Sequence, residues 1–407
     1  MPWKETCAVD ERMRFVLSVA AGEESFSYWC RVFGISRKTG YKWLARYGAE
    51  GVSGLGDRSR RPHHCPHELA ERLASACLAV RRRHPRWGPR KVGKWLRLKE
   101  PGTAWPAAST IGGLFDREGL TVKRRRRRVP AWTAPFAGTT AANDTWTIDF
   151  KGWFRTGDGR RCEPLTLSDA HSCFLLRCQL LGRCDFGHVW PVLEAALREY
   201  GLPWALRSDN GPPFASTAAG GLSRLAVRVL QASVVPERIA PGHPEQNGRH
   251  ERLHLTLKQE TAMPPAKTPR AQATRFRQFQ WIYNHERPHE ALGQTPPAWH
   301  YAPSPRQWDG VLRSPELDAA VDKRHVRKDG SVKWEGRYLY INENLAGEWI
   351  GLEEIDEGVF LARYGPVPLG HLKRCVHRLL RLKPSRGLVD NAGAFSTIPP
   401  LQQPQQE

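Results

Sequence analysis

The chain has 407 residues, 40% of them hydrophobic, with 16 Trp, a formal net charge of +21 and a sequence pI near 10.0. That length predicts two to four domains with real cores, and no apolar run approaches the ~18 residues of a membrane span or a leader. A strong positive charge favours a polyanionic partner, either nucleic acid or an acidic membrane surface.

The charge is concentrated at the front. Residues 1–130 hold 28 Lys+Arg against 12 Asp+Glu, so +16 of the +21 lies there. The same stretch reads as helices. Met13, Val16, Leu17 and Ala20 recur at helical spacing, Phe26 to Phe33 ends at the C′ glycine Gly34, and Ser36 caps a third helix from Arg37 to Tyr47. With Trp43, Leu44 and Tyr47 turned inward, Arg37, Lys38, Tyr41 and Lys42 share the opposite face, as a recognition helix in a major groove requires. An ordinary three-helix bundle with a solvated charged face is the plain alternative. Residues 1–62 are therefore predicted as a helix-turn-helix domain. Residues 63–130 are predicted as a second helix-turn-helix-like domain with a basic arm; its middle helix carries Val92, Trp95 and Leu96 on one face and Arg90, Lys91, Lys94 and Arg97 on the other, with Arg90 and Lys91 expected at DNA. Lys123 to Arg128 is an unbroken cationic run that includes Arg124, Arg125 and Arg126, read as an arm tracking DNA phosphates or as a solvated linker.

From Asp144 the period changes to that of strands. Thr145 to Phe154, Glu163 to Ser168 and Cys173 to Leu180 read as three antiparallel strands, with Asp158-Gly159 as a hairpin turn. Helices at Phe186–Tyr200 and Leu222–Gln231 then alternate with strands at Leu202–Arg207 and Val234–Ile239, before helices from Pro244 to Thr261 and Gln272 to Asn284. The order predicts a ribonuclease-H-like α/β core over residues 131–306. Short segments with turn signals predict a small β-barrel at 322–375, and a Pro/Gln-rich stretch predicts a disordered tail at 384–407. The whole is a multidomain protein with an all-α front. Nine scattered cysteines, with no CxxC pair and no leader, predict free thiols in a reducing cytoplasm. His63, His64 and Cys65 sit between prolines without a second ligand pair, which argues against zinc.

Three carboxylates stand out by their seats. Asp149 lies mid-strand between Ile148 and Phe150, Asp209 directly follows a strand, and Glu251 lies in a helix whose Leu253 and Leu257 fall on the far side. Converging carboxylates would repel, and a pair of Mg²⁺ ions, with Mn²⁺ as substitute, removes that cost. Such an ion pair also activates an attacking oxygen and stabilises a leaving one. Other polar residues have duller readings. Asp169 is expected to cap a turn, Asp144 to be structural, and Glu245 to complement its helix dipole. Asn247 shares Glu251's face and is expected at the DNA, with His243 and Lys258 as weaker contacts. Trp281, Tyr283 and Trp299 are expected in the core rather than as base-stacking residues.

These stretches resemble the retroviral-integrase-type (DDE) core of bacterial insertion-sequence transposases. The resemblance is carried by Trp146-Thr-Ile-Asp-Phe-Lys-Gly, Pro164-Leu-Thr-Leu-Ser-Asp, Ser208-Asp-Asn-Gly-Pro-Pro-Phe, Pro241-Gly-His-Pro-Glu-Gln-Asn-Gly-Arg-His-Glu-Arg and Tyr283-Asn-His-Glu-Arg-Pro-His-Glu-Ala-Leu. The front, with Phe33-Gly-Ile-Ser-Arg-Lys-Thr-Gly-Tyr-Lys-Trp-Leu and Trp87-Gly-Pro-Arg-Lys, is similar to the same group, as is Trp334-Glu-Gly. The resemblance implies that Asp149, Asp209 and Glu251 are the catalytic metal ligands. It implies binding to terminal inverted repeats, Mg²⁺-dependent 3′-end cleavage, strand transfer into target DNA, and a homo-oligomer, dimer or larger. A domesticated copy acting as a DNA-binding repressor is the alternative. Two departures are visible. Between Asp209 and Glu251 stand 41 residues, more than the family's usual spacing, with the surplus assigned to a flexible stretch from Ala215 to Gly221. Cys173 follows Ser172 where relatives commonly carry Arg.

Overall fold

A computed structural model describes residues 7–59, 69–121, 139–239, 248–374 and 376–380. The basic run, the segment holding Glu245 and Asn247, and the tail lie outside the described residues. The chain divides into two compact units, Met1–Leu69 and Ala70–Glu407.

The first unit is built on α1 (Ala8–Ala21), α2 (Phe26–Val32) and α3 (Arg37–Glu50). The Ser36 hydroxyl accepts from the Thr39 amide at 3.2 Å, and Gly34 takes φ +61°, the left-handed turn that ends α2. Phe15, Val16, Cys30, Trp43 and Leu55 form the core. Close approach of α2 and α3 depends on Gly40 as well as on Cys30. A Cβ at Gly40 would stand within 3 Å of Phe26, Cys30 and Phe15.

The second unit opens with α4 (Glu71–Arg83), α5 (Pro89–Lys99) and α6 (Ala108–Arg117). Pro89 starts α5 at the position where a missing N–H costs nothing. Val92, Leu96, Ile111, Phe115 and the fully buried Trp87 close this small core. Arg81 ties it together, donating to the carbonyls of Trp87 and Leu120 at 2.6 Å each.

The central sheet is formed by β1 (Thr145–Phe150), β2 (Phe154–Arg155), β3 (Arg161–Asp169), β4 (Leu175–Leu181), β5 (Ala205–Ser208) and β6 (Val235–Arg238). β3 pairs antiparallel with β1, β2 and β4, whereas β5 runs parallel to β1 and β6 parallel to β5. This is the ribonuclease-H-like order expected from sequence. One face packs α7 (Phe186–Tyr200) and α8 (Arg224–Gln231) through Trp146, Ile148, Leu165, Leu167, Val189 and Leu193. The other packs α9 (Gly248–Thr261) and α10 (Pro269–His285) through Leu175, Cys178, Leu253, Leu257, Phe276 and Phe279. Asp169 clamps the β3–β4 turn, accepting from the amides of Asn143 and Ser172 at 2.7 Å each. That is the turn-capping role predicted for it.

The C-terminal strands form a five-stranded antiparallel sheet of β7 (Asp322–His325), β10 (Trp349–Asp356), β11 (Val359–Tyr364), β12 (Val367–Lys373) and β13 (Val376–Leu380). A separate hairpin of β8 (Ser331–Trp334) and β9 (Arg337–Tyr340) approaches β7 on one side and β13 on the other. Where the sequence predicted a barrel, the ladders are not closed among the described residues. Nor do these strands stand apart from the central core. Ala219, Leu222, Ala226, Val227 and Leu230 share one apolar cluster with Val326, Ile350, Tyr364, Leu369 and Leu372. The surplus stretch predicted to be flexible is part of that joint. Gly220, at φ +66°, lies so close to β12 that a Cβ would meet Leu369 at 2.9 Å. The Asn342 amide donates to the carbonyls of Ala219 and Leu222 at 3.3 and 3.2 Å.

Candidate active site

Alternation along β1 decides where Asp149 points. Trp146 and Ile148 belong to the core on the α7 side, so Thr147 and Asp149 face the α9 side. Their neighbours on β3 obey the same rule: Leu165 and Leu167 face α7, and Thr166, the cross-strand partner of Asp149, faces α9. On the parallel side the last paired positions are Thr147 and Arg207. Asp149 and Asp209 each lie two residues beyond that rung, on adjacent strands ~4.8 Å apart. The loop after β5 is held from below by Phe214, whose buried ring lies 5.6 Å from that of Phe150. From the side, the Asn210 amide donates to the Ile239 carbonyl at 2.9 Å. Burial raises the pKa of Asp209, and the Gly211 amide, donating at 3.2 Å, offsets only part of that cost. A carboxylate so placed gains from a nearby cation.

Helix α9 buries His250, Leu253, His254 and Leu257 while leaving Glu251, Leu255 and Lys258 exposed. His254 is the direct link to β1. Its Nδ1 stands 3.8 Å from Asp149 Oδ2, and its Nε2 lies 2.8 Å from Thr166 Oγ1. A helix turns 100° per residue, so Glu251, three residues earlier, flanks His254 by about 60°. Glu251 thus belongs to the turn that meets Asp149. Among the described residues no three His, Cys, Asp or Glu side chains are gathered closely enough to cage an ion. The donor chemistry, three carboxylates on neighbouring elements, nonetheless suits a hard divalent cation.

The two histidines were missed by sequence reasoning, although their i, i+4 spacing beside Glu251 was a legible signal. His250 and His254 are 2% and 7% exposed, their rings 5.3 Å apart. Burial pushes both well below the ordinary histidine range, and for His254 the neighbouring His250 and Lys151 add to the shift.

Residues 232–297 match the integrase core domain family, residues 11–63 a helix-turn-helix domain, and residues 39–115 a homeodomain-like domain. The 31.7 kDa protein of insertion element IS407 from Burkholderia multivorans is 29% identical over 272 residues, covering 66% of this chain and 87% of that protein. The chain is thus similar to insertion-element proteins, and it matches helix-turn-helix and integrase core families over parts of its length. The 39.2 kDa protein of insertion element IS476 from Xanthomonas euvesicatoria is 26% identical over 250 residues, covering 61% of this chain and 69% of the relative. Among solved structures, the HTLV-2 integrase catalytic core domain in complex with magnesium aligns at a TM-score of 0.32 and 14% identity. It covers 40% of this chain and 98% of that one. The matched part of the integrase core spans Glu251 but neither Asp149 nor Asp209.

The residues expected at DNA have different fates. Arg37, Lys38, Tyr41 and Lys42 are all exposed on α3. Tyr41 is braced by stacking on Phe26 at 4.1 Å, and Lys42 Nζ lies 4.2 Å from the Trp43 ring centroid. Lys258 is exposed on α9. Lys91 needs correction: it turns inward and donates to the Pro288 carbonyl, and burial lowers its pKa to about 8. Arg90 stays exposed but stands 3.8 Å from Glu290. Arg124, Arg125, Arg126 and Asn247 lie outside the described residues. Two aromatic expectations are also overturned. Tyr283 is buried at 8% exposure, but Trp281 and Trp299 are 54% and 62% exposed. Trp281 stacks on His285 at the surface, one turn of α10 away, rather than entering the core. No described helix is long and apolar enough to cross a membrane. Cys7, Cys30, Cys77, Cys162, Cys173, Cys178 and Cys184 are free thiols.

Proposed function

We propose that this chain is a DNA transposase that binds the terminal inverted repeats of its element, cleaves their 3′ ends and joins them to target DNA. The observation that carries the reading is the contact of His254 with Asp149. It seats the turn of α9 that holds Glu251 against β1, one strand from the loop that holds Asp209. In this reading Asp149, Asp209 and Glu251 would hold two Mg²⁺, or Mn²⁺ in their place. When bound, these ions supply Lewis-acid stabilisation of the attacking and leaving oxygens of a phosphodiester. The chain's own residues do the rest. Asp149 and Asp209, half-buried at the end of the parallel strands, present fixed oxygens. Glu251, exposed on α9, closes on them from the helix side. Lys258, two turns along the same helix, is available to a DNA phosphate. Arg37, Lys38, Tyr41 and Lys42 read the terminal repeat, and the cationic arm at Lys123–Arg128 tracks its phosphates. Water and then the liberated 3′-OH serve as nucleophiles in turn, because only the attacking oxygen differs. Joining two ends requires at least a dimer, working in the cytoplasm on nucleoid DNA.

The test uses one protein preparation and two assays. Asp149→Asn, Asp209→Asn and Glu251→Gln are each expected to abolish strand transfer while leaving gel-shift of the element end unchanged. Full strand transfer by any one of them removes that residue from the site.

A further inference from the structure

The reading above uses three carboxylates, and none of them explains the buried imidazoles beneath them. Thr166 and Asp149 are cross-strand partners, and the Thr166 hydroxyl makes two contacts: 2.8 Å to His254 Nε2 and 3.2 Å to the Asp149 carbonyl oxygen. A hydroxyl carries a single proton, so Thr166 donates either to the Asp149 carbonyl or to His254 Nε2. His250 closes the other side of the pocket, its Nε2 buried without a hydrogen-bond partner. With the Thr166 hydroxyl donating along the shorter contact, Nδ1 is the ring atom left to donate, and it stands 3.8 Å from Asp149 Oδ2. That distance is within ion-pair range and beyond a hydrogen bond, so a modest rotation of the carboxylate completes it.

We propose that His254 is the positioning residue of the Asp149 carboxylate: anchored through Nε2 on Thr166, it offers Nδ1–H to Oδ2. The inference rests on Asp149 being a metal ligand, as proposed above. Groups that orient a ligand in this way commonly change ion affinity 10–100-fold when removed. The geometry further distinguishes the two ends of the ring. An Asn side chain at 254 reaches the place of Nδ1 and can still donate to Asp149, whereas a Gln reaches the place of Nε2 and can satisfy only Thr166.

The experiment titrates the full chain, without DNA, with Mn²⁺ followed by electron paramagnetic resonance of the free ion. Unfolding temperature is recorded on every sample. Mn²⁺ affinity is expected to fall by about tenfold or more in His254→Leu and His254→Gln. His254→Asn is expected to stay within a few-fold of wild type, and unfolding temperature should not track this order. Wild-type affinity in a folded His254→Leu variant would overturn the proposal. If the Leu variant does not fold, the Asn and Gln variants decide it, and equal affinities for those two overturn it. Asp149→Asn separates the underlying reading. Mn²⁺ binding that survives this change sinks Asp149 as a ligand, whereas binding that depends on Asp149 but not on residue 254 sinks only the positioning role.

Discussion

Two elements are fastened to the integrase core in opposite ways. The C-terminal sheet shares an apolar cluster with α8 and the Ala219–Leu222 turn, sealed by Asn342 and by the Gln231 amide donating to Glu348 at 2.8 Å. The α4–α6 unit meets the core through charge. Lys91 donates to Pro288, Arg83 stands 3.9 Å from Glu286, and Arg90 stands 3.8 Å from Glu290. Around that joint His84 Nε2, Trp87 Nε1, Glu286 Oε2, His289 Nε2 and Gln294 Oε1 are buried with no hydrogen-bond partner. An apolar joint gains with every methylene it removes from water, at roughly 25 cal/mol per Å². A polar joint returns much of its gain as desolvation, and each unmatched buried group costs about 1–3 kcal/mol. The first is therefore built as one core with the sheet, and the second as a contact that separates at lower cost.

The largest expected effect tests the apolar joint. Leu230→Ala should lower unfolding free energy by about 2–5 kcal/mol. Core and C-terminal sheet should still unfold in one denaturant transition, followed by tryptophan fluorescence and far-ultraviolet circular dichroism. Two separated transitions in the wild type would break the comparison. Next comes the ion pair behind the polar joint. Arg287 and Glu260 meet at 2.5 Å with side chains only 10% and 22% exposed. Glu260→Ala should cost about 3 kcal/mol, because it strands a mostly buried guanidinium. A loss below 1 kcal/mol would show that Arg287 finds other company.

Acid should act on the polar joint before the apolar one. Burial lowers the pKa of His84 to about 4 and of His289 to about 3, in both cases aided by neighbouring cations. The unfolded chain therefore takes up these protons first as pH falls. Their contribution is complete above pH ~6.5 and is lost progressively towards pH 4 and then 3. His84→Phe keeps a ring against Trp87, on which the imidazole stacks at 4.0 Å, and removes the titrating group. Its stability should fall less steeply than wild type between pH 6.5 and 4 in denaturant titrations. An unchanged slope would show that His84 is protonated without loss. The smallest effect belongs to the exposed pair: Arg90→Ala should change stability by less than about 1 kcal/mol, since Arg90 and Glu290 are both mostly in water. A larger loss would mean that this exposed pair is a main fastening of the joint.

Much of the site was legible because local rules carried it. Strand periodicity placed Asp149 mid-strand between Ile148 and Phe150, Ser36 and Gly34 marked the bounds of α3 and α2, and the Leu253/Leu257 spacing identified the buried side of α9. What escaped were partners distant in the chain. His254 meets Thr166 88 residues away, and Lys91 meets Pro288 197 residues away. Lys91 looked like a DNA contact because its helix face is cationic. Nothing within that helix reports that a carbonyl from beyond α10 receives the ammonium. Trp281, on α10, and Trp299, in a short turn beyond it, misled for the converse reason: apolar residues were assigned inward, but both side chains are exposed.

From the sequence alone came the elements, their order, the cationic front and the three carboxylates with their seats, all set by periodicity, capping and charge over short stretches. Only the tertiary structure decided that the Ala215–Gly221 stretch is a docking surface rather than slack. It also decided that the C-terminal strands form an open sheet and hairpin, and that His254 stands behind Asp149. Each of these depends on which apolar faces find one another across long chain separations. That choice belongs to the packing of the whole unit and leaves no local periodicity to read.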